Sequence, residues 1–163
     1  MILRFLAVAF LAAALPAAAQ SVPAANYSDI WYNASESGWG VTFTQHTDNN
    51  VEAVWYTYDP RAADTSNPAN FKPLWIVMPG GTWTSPTIFT GDVYVTTGTP
   101  FAQAWNPTLF GLTKVGTFTF SFQSAGAATF QYNIAPPGNL ASTDPAFGLP
   151  AFSGSKSITR QQF

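Results

Sequence analysis

The chain has no cysteine, a single histidine (His46) and few charged residues, which make up 9% of its 163 positions. Without cysteine no disulfide can staple the fold, so its stability must come from apolar burial. Ordinary zinc sites take most of their ligands from cysteine and histidine, so we expect no metal site. The sequence also lacks a glycine-rich phosphate loop, a G-x-S-x-G elbow and an H-E-x-x-H motif. We therefore expect no cofactor and no catalytic residues, and predict that the protein is not an enzyme.

Basic residues are scarce and do not cluster. Six Lys and Arg stand against eight Asp and Glu, which gives a formal net charge of −2. Proteins that bind nucleic acid or anionic lipid through charge present a concentration of Lys and Arg. We therefore do not expect nucleic acid as a partner.

The first nineteen residues have the pattern of a secretory signal. One cation, Arg4, precedes an apolar run over 5–15, which is followed by Pro16 and three alanines before Gln20. The apolar run is too short to span a bilayer and is typical of a cleaved signal peptide. We predict a signal peptide over 1–19, a single domain over 20–163, no membrane span, and a periplasmic or extracellular location.

Aromatic residues are abundant, at 16% of the chain. Each ring can bury about 150–250 Å², which compensates for the missing disulfides. Beyond the signal, segments rich in β-branched and aromatic residues alternate with Gly, Pro and Asn clusters, and no helical period is convincing. The pattern predicts up to eight strands, at 27–32, 38–46, 51–58, 72–78, 87–97, 115–122, 127–134 and 155–162.

Short turns join several of these segments. The runs 47–50 (TDNN) and 124–126 (SAG) contain the residues that tight hairpins require. Successive hairpins favour an antiparallel meander, and closing eight such strands on themselves removes unpaired edges. We predict an all-β fold, a single antiparallel up-and-down β-barrel of about eight strands. A β-sandwich is the alternative for this strand count.

The third predicted strand, 51–58, is apolar on both faces. Val51, Ala53 and Trp55 alternate with Val54, Tyr56 and Tyr58, whereas a half-buried strand normally alternates apolar with polar residues. Either a loop covers the outer face, which is the arrangement we expect, or the outer rings form a site. Three long connections, 59–71, 98–114 and 135–154, offer further surface for function.

Aromatic side chains suit the recognition of sugars and other amphipathic molecules, because a ring face packs on an apolar face while Asn, Gln and Thr nearby supply directional hydrogen bonds. We predict an exported, non-enzymatic binding module for a carbohydrate or small amphipathic ligand. Its alternatives are a domain that binds a protein or cell-envelope partner, and a hydrolase with paired carboxylates. The candidate ligand-binding residues are Trp105, Tyr56, Tyr58, Trp75 and Trp31.

Two residues far apart in the sequence resemble the signature of a known class of barrels. A glycine-flanked Trp39 in an early strand and Arg160 in the last strand are similar to the signature of calycin barrels, the lipocalins and avidins. That resemblance implies a structural role in which the Arg160 guanidinium caps the Trp39 ring. Glu36 is then expected to pair with Arg160 or with Lys156, which share a strand face.

At the level of whole motifs, the chain resembles an uncharacterised family of small exported proteobacterial domains. The matching pieces cover most of the chain after the signal: NYSDIWYN at 26–33, ESGWG at 36–40, WYTY at 55–58, PLWIVM at 73–78, GDVY at 91–94 and SKSITRQ at 155–161. In that family the domain occurs alone or appended to secreted enzymes. The resemblance implies an accessory role and supplies neither a catalytic residue nor a ligand.

Overall fold

The structure is a computed structural model that describes residues 21–162. The predicted signal peptide over 1–19 lies outside the described residues. Short 3₁₀ turns occur at Pro68–Asn70 and Pro107–Leu109. The strands are β1 (Asp29–Tyr32), β2 (Gly40–Gln45), β3 (Val51–Tyr58), β4 (Pro73–Met78), β5 (Thr82–Ser85), β6 (Ile88–Thr97), β7 (Gly111–Phe122), β8 (Ala127–Ile134) and β9 (Phe152–Arg160).

The strands form a closed antiparallel barrel. Their order in the sheet is β4-β3-β2-β1-β9-β8-β7-β6-β5, and an additional pairing of Val77 in β4 with Tyr94 in β6 joins the two sides. Eight strands therefore make the barrel, and β5 lies outside the ring, where β6 is its partner among the strands of residues 21–162. The predicted barrel is confirmed, and the sandwich alternative is wrong.

Most strand boundaries lie within two residues of the predictions, and three differences are larger. Strand β5 was not predicted, β7 begins at Gly111 instead of residue 115, and β9 begins at Phe152 instead of residue 155. In β7 the alternation of inward-facing side chains shifts by one residue. The odd-numbered Thr113 and Val115 are buried in the first part of the strand, and the even-numbered Phe118, Phe120 and Phe122 are buried in the second part. A β-bulge opposite Val93 and Tyr94 causes the change.

Gly116 makes the bulge possible. Its φ is +152°, and a Cβ at this position would collide with the carbonyl oxygen of Asn133 on β8. Glycine is the residue that accepts both conditions without strain. The bulge in turn lets one long strand direct two sets of side chains, one on each side of Gly116, to the same interior.

Aromatic side chains fill the barrel interior. The largest side chains with less than 2% exposure include Trp31, Trp83, Phe43, Phe89, Phe118, Phe120 and Phe130. Most of their ring pairs meet edge-on or tilted, as for Phe43 with Phe120 at 5.0 Å and Phe118 with Phe130 at 4.9 Å, which are favourable aromatic geometries. The centre of the barrel is thus a packed core.

One end of the barrel is sealed by rings. Trp83, from the outer strand β5, lies 5.1 Å from Phe89, and its indole N–H donates to the carbonyl oxygen of Asn49 at 2.8 Å. Tyr27 stacks on Phe122 at 3.9 Å. Strand β5 therefore delivers the side chain that closes this end.

Arg160 is placed differently from its prediction. Its guanidinium lies over the ring of Trp31, 5.4 Å from the centroid, and its Nε is 3.3 Å from the Asp29 carboxylate. It does not cap Trp39, because Arg160 and Trp31 are register partners on β9 and β1. Between residues 21 and 162 the structure contains no helix with the length and apolarity of a membrane span.

Candidate functional site

The outer surface of β3 and β4 carries a group of exposed rings. Tyr56 and Trp75 are register partners, so their side chains leave the sheet on the same side. Their ring centroids are 5.9 Å apart and nearly perpendicular, and 39% of Tyr56 and 62% of Trp75 is exposed. We call Tyr56, Tyr58, Phe71 and Trp75 the outer aromatic face.

The outer aromatic face is open to solvent. Tyr58 is half exposed and packs against Phe71, with centroids 6.4 Å apart. Gly38 approaches the Tyr58 ring closely, since a Cβ at this position would lie 3.4 Å from it. The expectation that a loop covers the outer side of β3 is therefore wrong, since 39% of Tyr56 and 52% of Tyr58 is exposed.

A groove lies beside Trp75, where β4 and β6 separate. Val77 and Tyr94 are registered partners, but beyond them the strands diverge and leave a space of about 390 Å³. We call this space the seam groove. Its lining consists of Asp59, Arg61, Pro73, Leu74, Trp75, Val95, Thr96, Thr97 and Pro145. One wall is therefore an exposed indole, and the others carry hydroxyl, carboxylate and guanidinium groups.

The charged wall of the seam groove is rigid. Arg61 Nη2 is 2.6 Å from Asp59 Oδ2, and Arg61 Nε donates to both carboxylate oxygens at 2.8 and 2.9 Å. Arg61 Nη1 also donates to the carbonyl oxygens of Pro145 and Phe147, at 3.0 Å each. One guanidinium thus ties the loop after β3 to the loop before β9.

The Asp59 carboxylate stays ionised over a wide pH range. Partial burial raises its pKa, but the hydrogen bonds and charge of Arg61 outweigh this effect, and the pKa lies below its ordinary value of 3.8. The same contact raises the pKa of Arg61. The groove therefore presents a fixed, fully ionised pair at neutral pH.

The structure separates the five sequence-predicted ligand-binding residues. Tyr56, Tyr58 and Trp75 lie together on the outer aromatic face. Trp105 is 66% exposed in the loop between β6 and β7, and within residues 21–162 no ring contact joins it to the other candidates. Trp31 has no exposed surface, and its indole N–H donates to the Tyr27 carbonyl oxygen at 3.1 Å. Trp31 is thus a core residue and cannot touch a ligand at the surface.

Apart from Trp75, the residues of the seam groove were not singled out from the sequence. Asp59 and Arg61 are two residues apart just after a strand, and this spacing is the only local signal of their pairing. The contribution of Thr96 and Thr97 depends on barrel closure, which brings β6 next to β4. No pattern within either strand contains that information.

Comparison with protein-family models, curated proteins and solved structures found no match for this chain. The resemblances to the calycins and to the exported proteobacterial domains therefore stay predictions.

Proposed function

We propose that the protein is a non-enzymatic carbohydrate-binding module that uses the outer aromatic face and the seam groove. The observation that carries the proposal is the position of Trp75, an exposed indole that belongs to both. Its face is available for packing against the apolar face of a sugar ring, as aromatic residues do in ligand sites. Tyr56 meets it almost perpendicularly and holds its orientation.

The groove supplies the polar half of such a site. The Thr96 and Thr97 hydroxyls line the space next to Trp75, and hydroxyls are suitable partners for sugar hydroxyls. The Asp59 carboxylate already accepts four hydrogen bonds from Arg61, so the pair forms a fixed polar wall, which limits the entropy lost on binding. The volume of about 390 Å³ is sufficient for a small ligand or for one residue of a glycan chain.

The test is a binding screen against soluble polysaccharides and peptidoglycan fragments, followed by titration of any glycan that binds. We expect Trp75→Ala to weaken binding by at least about tenfold, which corresponds to about 1.4 kcal/mol. Trp105→Ala is the matched control, since it removes a tryptophan of similar exposure, 66% against 62%, from another surface. Tyr56→Ala should give an intermediate loss, because it removes the support of the Trp75 ring.

Two results contradict the proposal. Glycan binding that is unchanged in a folded Trp75→Ala protein would remove the site assignment. A complete screen without any binding glycan would remove the function itself.

A second candidate function has an observation of its own. The loop between β6 and β7 and the first residues of β7 expose a run of large apolar side chains, Phe101, Trp105, Leu109, Phe110 and Leu112, and no charged residue occurs from 93 to 113. Large exposed apolar patches are typical of docking surfaces for proteins or other envelope components. If Trp105→Ala, and not Trp75→Ala, abolishes recovery of a partner from the cell envelope, this interaction function is favoured. The paired-carboxylate hydrolase stays a prediction.

A further inference from the structure

A second pocket lies at the end of the barrel opposite the Trp83 seal, where β2 begins and β3 ends. It is on the inner side of the sheet and has a volume of about 200 Å³. We call it the mouth pocket. It is lined by Glu36, Trp39, Trp55, Thr57, Phe130, Tyr132 and Lys156. It is distinct from the outer aromatic face, with which it shares no residue.

The walls of the mouth pocket are aromatic. Trp55 lies 4.9 Å from Tyr132 and 5.4 Å from Phe130, and Trp39 lies 6.4 Å from Phe130. Pockets for drug-sized molecules are about 300–1,000 Å³, so this one suits a smaller molecule, with a single ring or a short apolar chain. The walls offer such a group ring faces and edges to pack against.

An ion pair stands at the rim of these walls. Lys156 is the register partner of Phe130, so its side chain starts on the inner face of β9. Its Nζ donates to both carboxylate oxygens of Glu36, each at 2.9 Å, and Glu36 Oε2 also accepts from the Trp39 indole N–H at 3.3 Å. The hydrogen bond from Lys156 lowers the pKa of Glu36, and the same bond raises the pKa of Lys156. Both groups are therefore charged at neutral pH.

One wall contains an unsatisfied donor. The indole nitrogen of Trp55 is buried and has no hydrogen-bond acceptor among residues 21–162. Buried donors in folded proteins nearly always have a partner, because an unpaired one keeps the full cost of desolvation. Trp55 is only 7% exposed and lines the mouth pocket, so an occupant with an acceptor oxygen gives this donor its partner.

We propose that the mouth pocket binds a small zwitterion with one apolar group, of the class of the free aromatic α-amino acids. The ligand carboxylate contacts Lys156 and accepts a hydrogen bond from the Trp55 indole N–H, its ammonium contacts Glu36, and its ring packs against Tyr132. A singly charged ligand meets repulsion from one member of the pair whichever sign it carries. A zwitterion with adjacent charges complements both members.

Comparison of three related ligands tests the proposal without any variant of the protein. Isothermal titration with L-phenylalanine is compared with phenethylamine, which lacks the carboxylate, and with 3-phenylpropionate, which lacks the ammonium. We expect L-phenylalanine to bind and each analogue to bind at least tenfold more weakly. The proposal is overturned if either analogue binds as tightly as the amino acid, or if L-phenylalanine, L-tyrosine and L-tryptophan all fail to bind to the folded protein.

Variants then locate the site. Lys156→Gln and Glu36→Gln should each weaken L-phenylalanine binding at least tenfold, and Trp55→Phe, which keeps a ring but removes the N–H, should weaken it less. The matched control is Lys114→Gln, which breaks a pair of the same kind, Lys114 with Asp92 at 2.7 Å, away from the pocket. Equal losses in Lys114→Gln and Lys156→Gln would remove the site assignment.

Binding of L-phenylalanine to the mouth pocket should not depend on the proposed glycan site. Trp75→Ala should leave L-phenylalanine binding unchanged, and saturating L-phenylalanine should leave glycan binding unchanged. A loss of L-phenylalanine binding in Trp75→Ala would contradict the assignment to the mouth pocket.

Discussion

Trp83→Ala tests whether β5 seals the barrel. The Trp83 side chain is 1% exposed and packs against Phe89 and Tyr27. A tryptophan buries on the order of 200 Å², which at about 25 cal/mol per Å² gives about 5 kcal/mol as an upper bound. Measured truncations of buried Phe and Trp cost about 3–5 kcal/mol. We therefore expect the free energy of unfolding to fall by about 4 kcal/mol, which lowers the melting temperature by about 10–15 °C.

The assay is urea unfolding followed by circular dichroism, with two companion variants. Trp83→Phe keeps a ring but loses the hydrogen bond to the Asn49 carbonyl, so we expect an intermediate loss of about 1–3 kcal/mol. Trp75→Ala removes the same residue type from the outer surface and should cost less than about 1 kcal/mol. Equal losses in Trp83→Ala and Trp75→Ala would refute the reasoning, because they would show that Trp83 is not a core residue.

Two further predictions concern the Asp59–Arg61 pair and the bulge in β7. Because the pKa of Asp59 is lowered in the folded state, the pair stabilises the fold above about pH 4 and this contribution disappears as the pH falls through the folded-state pKa. The stability difference between the wild type and Asp59→Asn should therefore shrink between pH 6 and pH 2 in urea titrations, and a constant difference would contradict it. Gly116→Ala should lower the free energy of unfolding by more than about 2 kcal/mol, since it combines a positive φ with a collision against the backbone of β8. Gly126→Ala is its control, because a Cβ at Gly126 meets no atom within 4 Å, and equal losses in the two variants would contradict the role of the bulge.

The barrel was accessible from the sequence because local patterns define most of its strands. Alternation in 118–122 and 127–134 and the turns at 47–50 and 124–126 are signals within single hairpins. Strand β5 was not predicted because it has only four residues and lies between Gly80-Gly81 and Pro86, so that the whole segment has the composition of one long turn. The first residues of β7 were not predicted because the bulge at Gly116 shifts the inward–outward alternation by one residue. The two halves of the strand therefore do not follow one continuous alternation.

The candidate sites were accessible only in part. The sequence shows that β3 is apolar on both sides, but the choice between a covered and an exposed outer face depends on where the loops lie. Trp31 and Trp75 look alike as strand tryptophans, yet one faces the core and the other faces solvent. Glu36 was expected to pair with Arg160 or with Lys156, and the structure pairs it with Lys156, 120 residues away. The aromatic pocket beside this pair was not expected, because it depends on the closed sheet.

Strand β5 affects the tendency of the protein to associate with other copies of itself. β4 reaches β6 at a single registered pair, Val77 with Tyr94, so the remainder of that side of β6 would otherwise display free backbone donors and acceptors. Residues Thr82–Ser85 bond to the first part of β6. An uncovered sheet edge is a template for intermolecular strand addition and aggregation. Four residues outside the barrel thus cover the first part of this edge and reduce the backbone open to self-association, in a chain whose low charge gives little electrostatic repulsion between molecules.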